Sequence, residues 1–187
     1  MEEPDPQTIR SAAAGDLDAF TDLVRHSQPH VWRFLRHLVG NEDLAADLTQ
    51  DTFVRMHKAL ASFRFDARFR TWLFRIARNV AIDEQRRATR QRRVVRAVAA
   101  GGGPETPSGD AVVPGPGLAV ELEAALGELS APQREAFVLV EVFGFRYREV
   151  AQILGEAEGT VKSRVFHARL ALVRWFESGE KASDHGR

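Results

Sequence analysis

Apolar residues recur with the period of an α-helix along nearly the whole of this 187-residue chain. One such stripe runs from Leu17 to Leu38, is interrupted at Pro29 and stops at Gly40, as expected of one kinked helix or two abutting helices. The alternation with period two that marks strands is scarce. No window approaches about 18 consecutive apolar residues, and residues 1–7 form an acidic lead-in rather than a basic, then apolar, signal. We therefore predict a soluble, unexported, all-α protein without membrane insertion.

The composition changes abruptly after Arg96. Residues 97–118 are mainly small or turn-forming, with little charge and no aromatic side chain, so they cannot bury enough apolar surface to fold. We predict two small helical domains, residues 1–96 and 119–187, joined by a flexible linker at residues 97–118. About 20 extended residues span at most ~70 Å, roughly two turns of DNA at ~34 Å each. The two domains can therefore occupy separated sites on one duplex.

Charge is segregated along the chain although the formal net charge is zero, from 26 basic and 26 acidic side chains. Six arginines and no acid lie within residues 86–96, whereas residues 121–158 carry eight glutamates and three arginines. Cations complement a helix C-terminus, but six exceed what one dipole can use, which favours a polyanionic partner. The absence of cysteine excludes disulfides and thiolate zinc sites and fits a reducing cytosol.

The most distinctive stretch is an amphipathic helix over residues 69–93 and the loop before it. Leu73, Ala77 and Val80 fall on one helical stripe, and basic residues fall roughly opposite. In the loop, aromatic rings alternate with arginines, an arrangement suited to stacking on unpaired bases. The alternative is that the rings fill a helical core, and at least Phe69 is expected to do so. The alternating residues are Phe63, Arg64, Phe65, Arg68, Phe69 and Arg70.

A polar patch is predicted on the preceding helix. Asn41 can cap a helix that runs to about Leu60. Asp47, Gln50 and Asp51 share one side of that helix. Taken alone, such a patch is most simply a solvated surface.

The second domain has the pattern of a helix-turn-helix. Ser130 and Gln133 form a capping box, and a helix over residues 147–154 is followed by a turn at Gly155 and a final helix over about 160–176. A helix with a polar and basic N-terminal half can enter the major groove. An ordinary helical hairpin is the alternative.

The residues that flank the final helix complete the predicted domain. Glu156 and Glu158 precede the helix, where acids suit the helix N-terminus but repel nearby phosphates. Residues 178–187 are charged and small, and we expect a flexible tail.

Together these segments resemble the sigma factors of bacterial RNA polymerase, specifically the short, two-domain extracytoplasmic-function group. The resemblance covers residues 18–176 apart from the linker, and its three motifs occur in the family's order. The motifs are Asp47-Leu48-Thr49-Gln50-Asp51-Thr52-Phe53; Phe69-Arg70-Thr71-Trp72-Leu73 followed by Ile76-Ala77-Arg78-Asn79, Asp83, Arg86 and Arg87; and Gly159-Thr160-Val161-Lys162-Ser163-Arg164.

The resemblance implies residues for three interactions. In the family, one helix binds the β′ clamp helices of core polymerase, the next loop and helix capture a flipped base and bind minus-ten DNA, and the last helix reads the minus-thirty-five element. The implied polymerase contacts are Asp47, Leu48, Gln50, Asp51 and Phe53. The implied minus-ten contacts are Ser62, Phe63, Arg64, Phe65, Arg68, Phe69, Arg70, Trp72, Arg75, Arg78, Asn79, Asp83, Arg86, Arg87 and Arg90. The implied minus-thirty-five contacts are Thr160, Lys162, Ser163, Arg164 and His167.

The resemblance also implies partners and a mechanism. The expected partners are core RNA polymerase, through its β′ clamp helices and β flap, promoter DNA and an anti-sigma factor, all met in the cytoplasm. Base extraction costs a few kcal/mol, and stacking on an aromatic side chain returns about 1–3 kcal/mol. Melting is therefore binding work, with no enzymatic step, cofactor or metal of the chain's own.

Two other functions remain open from the residues. A helix-turn-helix regulator that acts without polymerase would explain the second domain but not the aromatic and basic stretch of the first. A nucleic-acid enzyme is disfavoured because the acids form no evident metal cluster and the six histidines are scattered.

Overall fold

The computed structural model describes residues 1–98 and 124–184, with side chains described as far as residue 93 in the first range and residue 178 in the second. The chain divides into two units, Met1–Asp110 and Ala111–Arg187. Every regular element in the described ranges is helical, which confirms the predicted all-α class. The predicted linker, residues 97–118, lies outside the described residues except for 97 and 98, which are helical.

The described part of the N-terminal unit, residues 1–98, contains four helices: α1 (Pro6–Ala13), α2 (Leu17–Val39), α3 (Glu42–Leu60) and α4 (Phe69–Val98). The acidic residues at the N-terminus therefore lead directly into α1, a helix that the apolar periodicity did not predict. Its signal is local, because the Asp5 side chain accepts from the backbone N–H of Gln7 at 3.3 Å and Pro6 occupies the first turn.

Helix α2 continues through Pro29 as a single element and ends at Gly40, whose φ of 71° is the left-handed conformation that glycine adopts readily. Leu17 does not belong to the buried stripe, since it is 70% exposed. Asn41 caps α3 as predicted, accepting from the N–H of Leu44 at 2.8 Å. These local signals set where the helices of the unit begin and end.

The core of the N-terminal unit is built where α2, α3 and α4 meet. The rings of Phe34 on α2 and Phe74 on α4 lie 5.0 Å apart between centroids, and both are fully buried. Burying a side chain of this size contributes about 1.5–3 kcal/mol, so these contacts hold α4 against the bundle. The other large, fully buried side chains of this unit are Ile9, Leu23, Val31, Leu35, Met56, Leu60, Phe69 and Leu73.

The C-terminal unit contains α5 (Ala131–Phe137), a π-helical segment (Val138–Val142), α6 (Tyr147–Leu154) and α7 (Glu158–Asp184). Residues 124–127 are also helical. The predicted bounds of α6 are confirmed, and Gly155 makes the turn with a φ of 68°. The predicted capping box is present, with Gln133 accepting from the N–H of Ser130 at 3.2 Å.

Two features of this unit were not predicted from the sequence. The helix after the capping box passes into the π-helical segment at Val138, and Val138 and Leu139 are both fully buried. Helix α7 extends beyond its predicted end at about residue 176 and runs through residues 178–184 to Asp184.

Within residues 1–98 and 124–184, no helix is long and apolar enough to cross a membrane.

Candidate nucleic-acid and polymerase interfaces

Helix α3 presents an acidic patch formed by Asp47, Gln50 and Asp51, all of which are exposed. Leu48 and Phe53 belong to the same predicted contact set, but they are only 4% and 9% exposed and pack in the bundle. Their helical period places them on the inner face of α3, where they pack in the bundle and hold the patch in place.

The loop between α3 and α4, residues 61–68, is called the aromatic loop below. Its central ring is Phe63, whose centroid lies 4.7 Å from that of Phe65, 5.0 Å from that of Trp72 and 6.0 Å from that of Phe69. Phe69 is buried, as predicted for at least one ring, whereas Phe65 is 42% exposed. The buried Phe69 therefore anchors the loop in the core of the unit, and Phe65 is the ring that the loop exposes.

Phe65 has an unusual backbone conformation, with a φ of 58°. Among the described residues, it is the one non-glycine residue with positive φ. A bulky side chain in this region is disfavoured by about 1–3 kcal/mol, and such strain persists only where the surroundings impose it. The aromatic loop thus holds an exposed ring in a costly conformation, a pattern that clusters at functional sites.

Most of the other predicted minus-ten residues lie on accessible surface. The basic residues of α4 that follow the loop stand on its outer face, as the amphipathic pattern predicts. Arg70, Trp72 and Arg78 are partly buried. The exposed members of the set are Ser62, Arg64, Arg68, Arg75, Asn79, Arg86, Arg87 and Arg90.

Asp83 is engaged within the protein. Its carboxylate accepts a hydrogen bond from Arg55 Nη1 at 2.6 Å, which ties α4 to α3. The resemblance places Asp83 among the minus-ten contacts, and that assignment stays a prediction. Within the protein, the half-exposed carboxylate is held by its ion pair with Arg55.

Two further residues beside the loop were not identified from the sequence. The Glu3 carboxylate accepts from the backbone N–H of Phe69 and, at 3.4 Å, from that of Arg70, at the start of α4. The Arg10 guanidinium lies 5.3 Å from the centroid of the Phe65 ring. One signal was available: Arg68 occupies the capping position of α4 and its side chain contains no acceptor, so the first N–H groups of α4 lack a local side-chain cap.

Helix α7 exposes Thr160, Lys162, Ser163 and His167 and leaves Arg164 partly buried. This division follows the helical period, because Val161, Val165 and Ala168 on the opposite face are fully buried. The polar N-terminal half of α7 is therefore free of the core of its unit.

The two cations near the start of α7 are paired with acids. Lys162 Nζ lies 2.8 Å from Glu158 and Arg164 Nη1 lies 2.7 Å from Glu156. The hydrogen bond to Glu158, together with the charge of that carboxylate, raises the pKa of Lys162 above its ordinary value of 10.5. Lys162 is thus charged at neutral pH, and each of the two cations is partly neutralised by an acid of its own unit.

An apolar stripe also lies on the outer face of α7. Phe166 and Val173 are more than half exposed, and Leu170 and Phe176 are more than one third exposed. These residues follow helical spacing and were not singled out in the sequence.

Comparison with known families assigns both units. Residues 23–91 match the family model described as Sigma-70 region 2. Residues 119–172 match the one described as Sigma-70, region 4. The first match covers the acidic patch, the aromatic loop and most of α4, and the second covers the helix-turn-helix.

Curated relatives match over most of their length. The chain is 37% identical over 166 residues to a protein of Mycobacterium bovis named probable RNA polymerase sigma-C factor, covering 87% of this chain and 86% of the relative. It is 33% identical over 179 residues to the ECF RNA polymerase sigma factor SigM of Mycobacterium tuberculosis, covering 92% and 85% respectively.

Solved structures give the same result. The sigma factor RpoE of Bartonella quintana, determined in complex with the anti-sigma factor NepR, is 31% identical with a TM-score of 0.71, covering 86% of this chain and 98% of that one. CnrH, determined in complex with the cytosolic domain of CnrY, is 28% identical with a TM-score of 0.68, covering 92% and 96%.

Proposed function

The chain belongs to the extracytoplasmic-function group of the sigma-70 family of RNA polymerase sigma factors, and from that premise we propose which of its residues carry out each step of promoter recognition. It is a sigma factor that recognises promoters in transcription initiation. One observation carries this conclusion: region 2 and region 4 of the family match in order along a single chain, at residues 23–91 and 119–172. A regulator independent of polymerase would leave the region 2 match unexplained.

The acidic patch on α3 is the proposed contact with the β′ clamp helices of core polymerase. Asp47, Gln50 and Asp51 are exposed on one side of a helix whose opposite side is held in the core by Leu48 and Phe53. Carboxylates on a rigid helix favour a basic partner surface and discriminate against like charge. The region 4 unit supplies the second polymerase contact, with the β flap.

The aromatic loop is the proposed site of base capture in the minus-ten element. Phe65 supports this role through its exposed ring and strained backbone, and Phe63 connects it to the buried Phe69. A captured base regains about 1–3 kcal/mol by stacking on an aromatic ring, which offsets the few kcal/mol needed to unstack it. Exposed arginines of α4 hold the phosphates of the same strand.

The N-terminal half of α7 is the proposed reader of the minus-thirty-five element. Thr160, Lys162 and Ser163 are exposed there and are able to donate to base edges or phosphates. Glu156 and Glu158 weaken this contact by pairing with Arg164 and Lys162, so we expect modest minus-thirty-five affinity outside the holoenzyme.

The remaining features of the proposal concern partners and place. The similar sigma factor RpoE is solved with the anti-sigma factor NepR, and the similar protein CnrH is solved with the cytosolic domain of CnrY. We propose that this chain also has an anti-sigma partner. The protein acts in the cytoplasm, where polymerase and promoter DNA are found. It performs no catalytic step, because polymerase supplies the chemistry.

The direct test is reconstitution with purified core polymerase from the source bacterium. The full chain is expected to bind core polymerase and to direct initiation from a subset of genomic fragments, whose start sites then define both promoter elements. Core polymerase alone, assayed on the same fragments, is the control. Absence of binding to core polymerase would refute the proposed function.

A further inference from the structure

The first 13 residues form an arm, called the N-terminal arm below, that lies outside the region 2 match beginning at residue 23. The arm is packed against the unit. Ile9 and Ala12 are buried, and His26 Nε2 on α2 lies 3.0 Å from the backbone oxygen of Glu2. The arm therefore has a defined position relative to α2.

The arm touches the aromatic loop at its downstream end through Glu3. Helix α4 begins at Phe69, and its first N–H groups need acceptors that no preceding turn provides. Arg68, in the capping position, cannot supply one, whereas the Glu3 carboxylate accepts from Phe69 and Arg70, 66 and 67 residues away in sequence. A carboxylate here also complements the positive end of the helix dipole.

The arm touches the same loop at its exposed ring through Arg10. Its guanidinium lies within the roughly 6 Å range of a cation–π contact with Phe65, at 5.3 Å from the ring centroid. Phe65 is the loop residue whose backbone is strained and whose ring is exposed. Arg10 thus contacts the side chain on which a flipped base is proposed to stack.

We propose that the N-terminal arm is a positioning element for minus-ten recognition, in which Glu3 fixes the start of α4 and Arg10 orients the Phe65 ring for base stacking. This inference rests on the proposed base-capture role of the aromatic loop. It assigns Glu3 and Arg10 as positioning residues that set base selectivity without being required for polymerase binding.

The physical basis is preorganisation. A loop that must adopt a strained conformation on binding loses affinity by the cost of that ordering. The two contacts act on opposite ends of a short segment, residues 65–69, and so restrict both its backbone and its ring before DNA arrives. Selectivity for a captured base depends on the geometry of that segment, whereas phosphate contacts tolerate small displacements.

The test uses holoenzyme made with the full chain and single-stranded oligonucleotides carrying the non-template sequence of a mapped promoter. Affinity is measured for the promoter sequence and for oligonucleotides substituted at one minus-ten base at a time, and the ratio of the two is the selectivity. The variants are Glu3→Ala, Glu3→Gln and Arg10→Ala. The matched controls are Glu2→Ala, an acid one residue away, and Arg25→Ala, an exposed arginine on α2.

We expect Glu3→Ala and Arg10→Ala each to lower selectivity at one base by about fivefold or more, the lower end of one lost stacking interaction. Glu3→Gln is expected to restore much of the selectivity, because its amide oxygen still accepts the N–H bonds. The controls are expected to keep the selectivity of the unmodified chain. Affinity for core polymerase is expected to be the same in all variants.

Three results would overturn the inference. The first is unchanged selectivity in both Glu3→Ala and Arg10→Ala while the unmodified chain remains selective, which leaves the proposed function intact. The second is an equal loss of affinity for every oligonucleotide, which marks a purely structural arm. The third is a wild-type holoenzyme without base selectivity, which removes the base-capture role as well. If Glu3→Ala fails to fold, the selectivity of Arg10→Ala alone tests the inference, because Arg10 is exposed and its loss should not affect folding.

Discussion

Arg55 on α3 donates a hydrogen bond to Asp83 on α4 across 2.6 Å, and this pair joins the helix of the acidic patch to the helix of the basic face. The two residues are 28 positions apart. Their side chains are about half exposed, so the pair lies at the rim of the α3–α4 contact and not in its core. The pair helps to hold the two proposed binding surfaces in a fixed relation within the N-terminal unit.

Asp83→Ala is expected to reduce the stability of the N-terminal unit by about 0.5–1 kcal/mol, the range of a solvent-exposed ion pair with good geometry. Arg55→Ala should cost a similar amount, and the double variant should cost less than the sum of the two. Urea unfolding of the four proteins measures this cycle. A loss of minus-ten affinity in Asp83→Ala without any loss of stability would contradict this structural role and support Asp83 as a DNA contact.

Asp51→Arg is expected to weaken core polymerase binding by tenfold or more, about 1.4 kcal/mol, because it places a cation where a basic partner surface is proposed. The fold should be unaffected, since Asp51 is exposed. Competition for core polymerase measures the effect. Asp22→Arg, the same change at an exposed position of α2, is the matched control, and equal affinities for the two variants would mark the acidic patch as a solvated surface.

Phe65→Gly separates the cost of the strained backbone from the function of the ring. Glycine adopts a φ of 58° without penalty, so relief of about 1–3 kcal/mol of backbone strain should offset the contacts that the ring makes with Phe63 and Arg10, and the stability of the unit should change little. Loss of the ring should nevertheless weaken binding of the single-stranded minus-ten oligonucleotide by about 1–3 kcal/mol. Thermal unfolding and fluorescence anisotropy measure the two effects. Phe166→Gly, which removes an exposed ring in the other unit, should leave oligonucleotide binding unchanged.

Glu158→Gln is expected to strengthen minus-thirty-five binding, because it removes an acid near the phosphates and frees Lys162 from its ion pair. Lys162→Ala should weaken binding and reduce the slope of affinity against salt by about one. The ion pair with Glu158 raises the pKa of Lys162 above its ordinary value of 10.5, so the lysine is charged at every pH near neutral. Its contribution to DNA binding should therefore not vary with pH in that range. Footprinting at several salt concentrations measures the salt dependence of DNA affinity in each variant. Equal slopes for Glu158→Gln and Lys162→Ala would contradict the proposed contact between Lys162 and the DNA.

Acidification is expected to destabilise the N-terminal unit. Burial, followed by the charges of the N-terminal amine, Arg33 and His26, lowers the pKa of His30 from its ordinary 6.5. The unfolded chain therefore binds the proton more readily, so stability is present above pH 6.5 and is lost as pH falls through the lowered pKa of the folded state. Urea unfolding of the wild type and of His30→Gln at neutral and acidic pH measures the effect. The same pH dependence in both proteins would exclude His30 as its source.

The fold of each unit was largely predictable from local signals. Gly40 and Gly155 end helices because they adopt positive φ, and Asn41 and Ser130 begin them through capping. Helical period placed Val161 and Val165 inside and Lys162 outside. These features depend on residues within about one helical turn of each other, so sequence spacing captures them.

Sequence by itself therefore determined the all-α class, most helix boundaries in the described residues and the exposure of the acidic patch and of the polar half of α7. Only the tertiary structure decided which ring of the aromatic loop is exposed. It also decided that Asp83 forms an ion pair with Arg55, and that Glu3 caps a helix that begins 66 residues later. The physical reason is that these contacts depend on how the helices pack and where the arm lies. Neither is encoded in the period of any single helix.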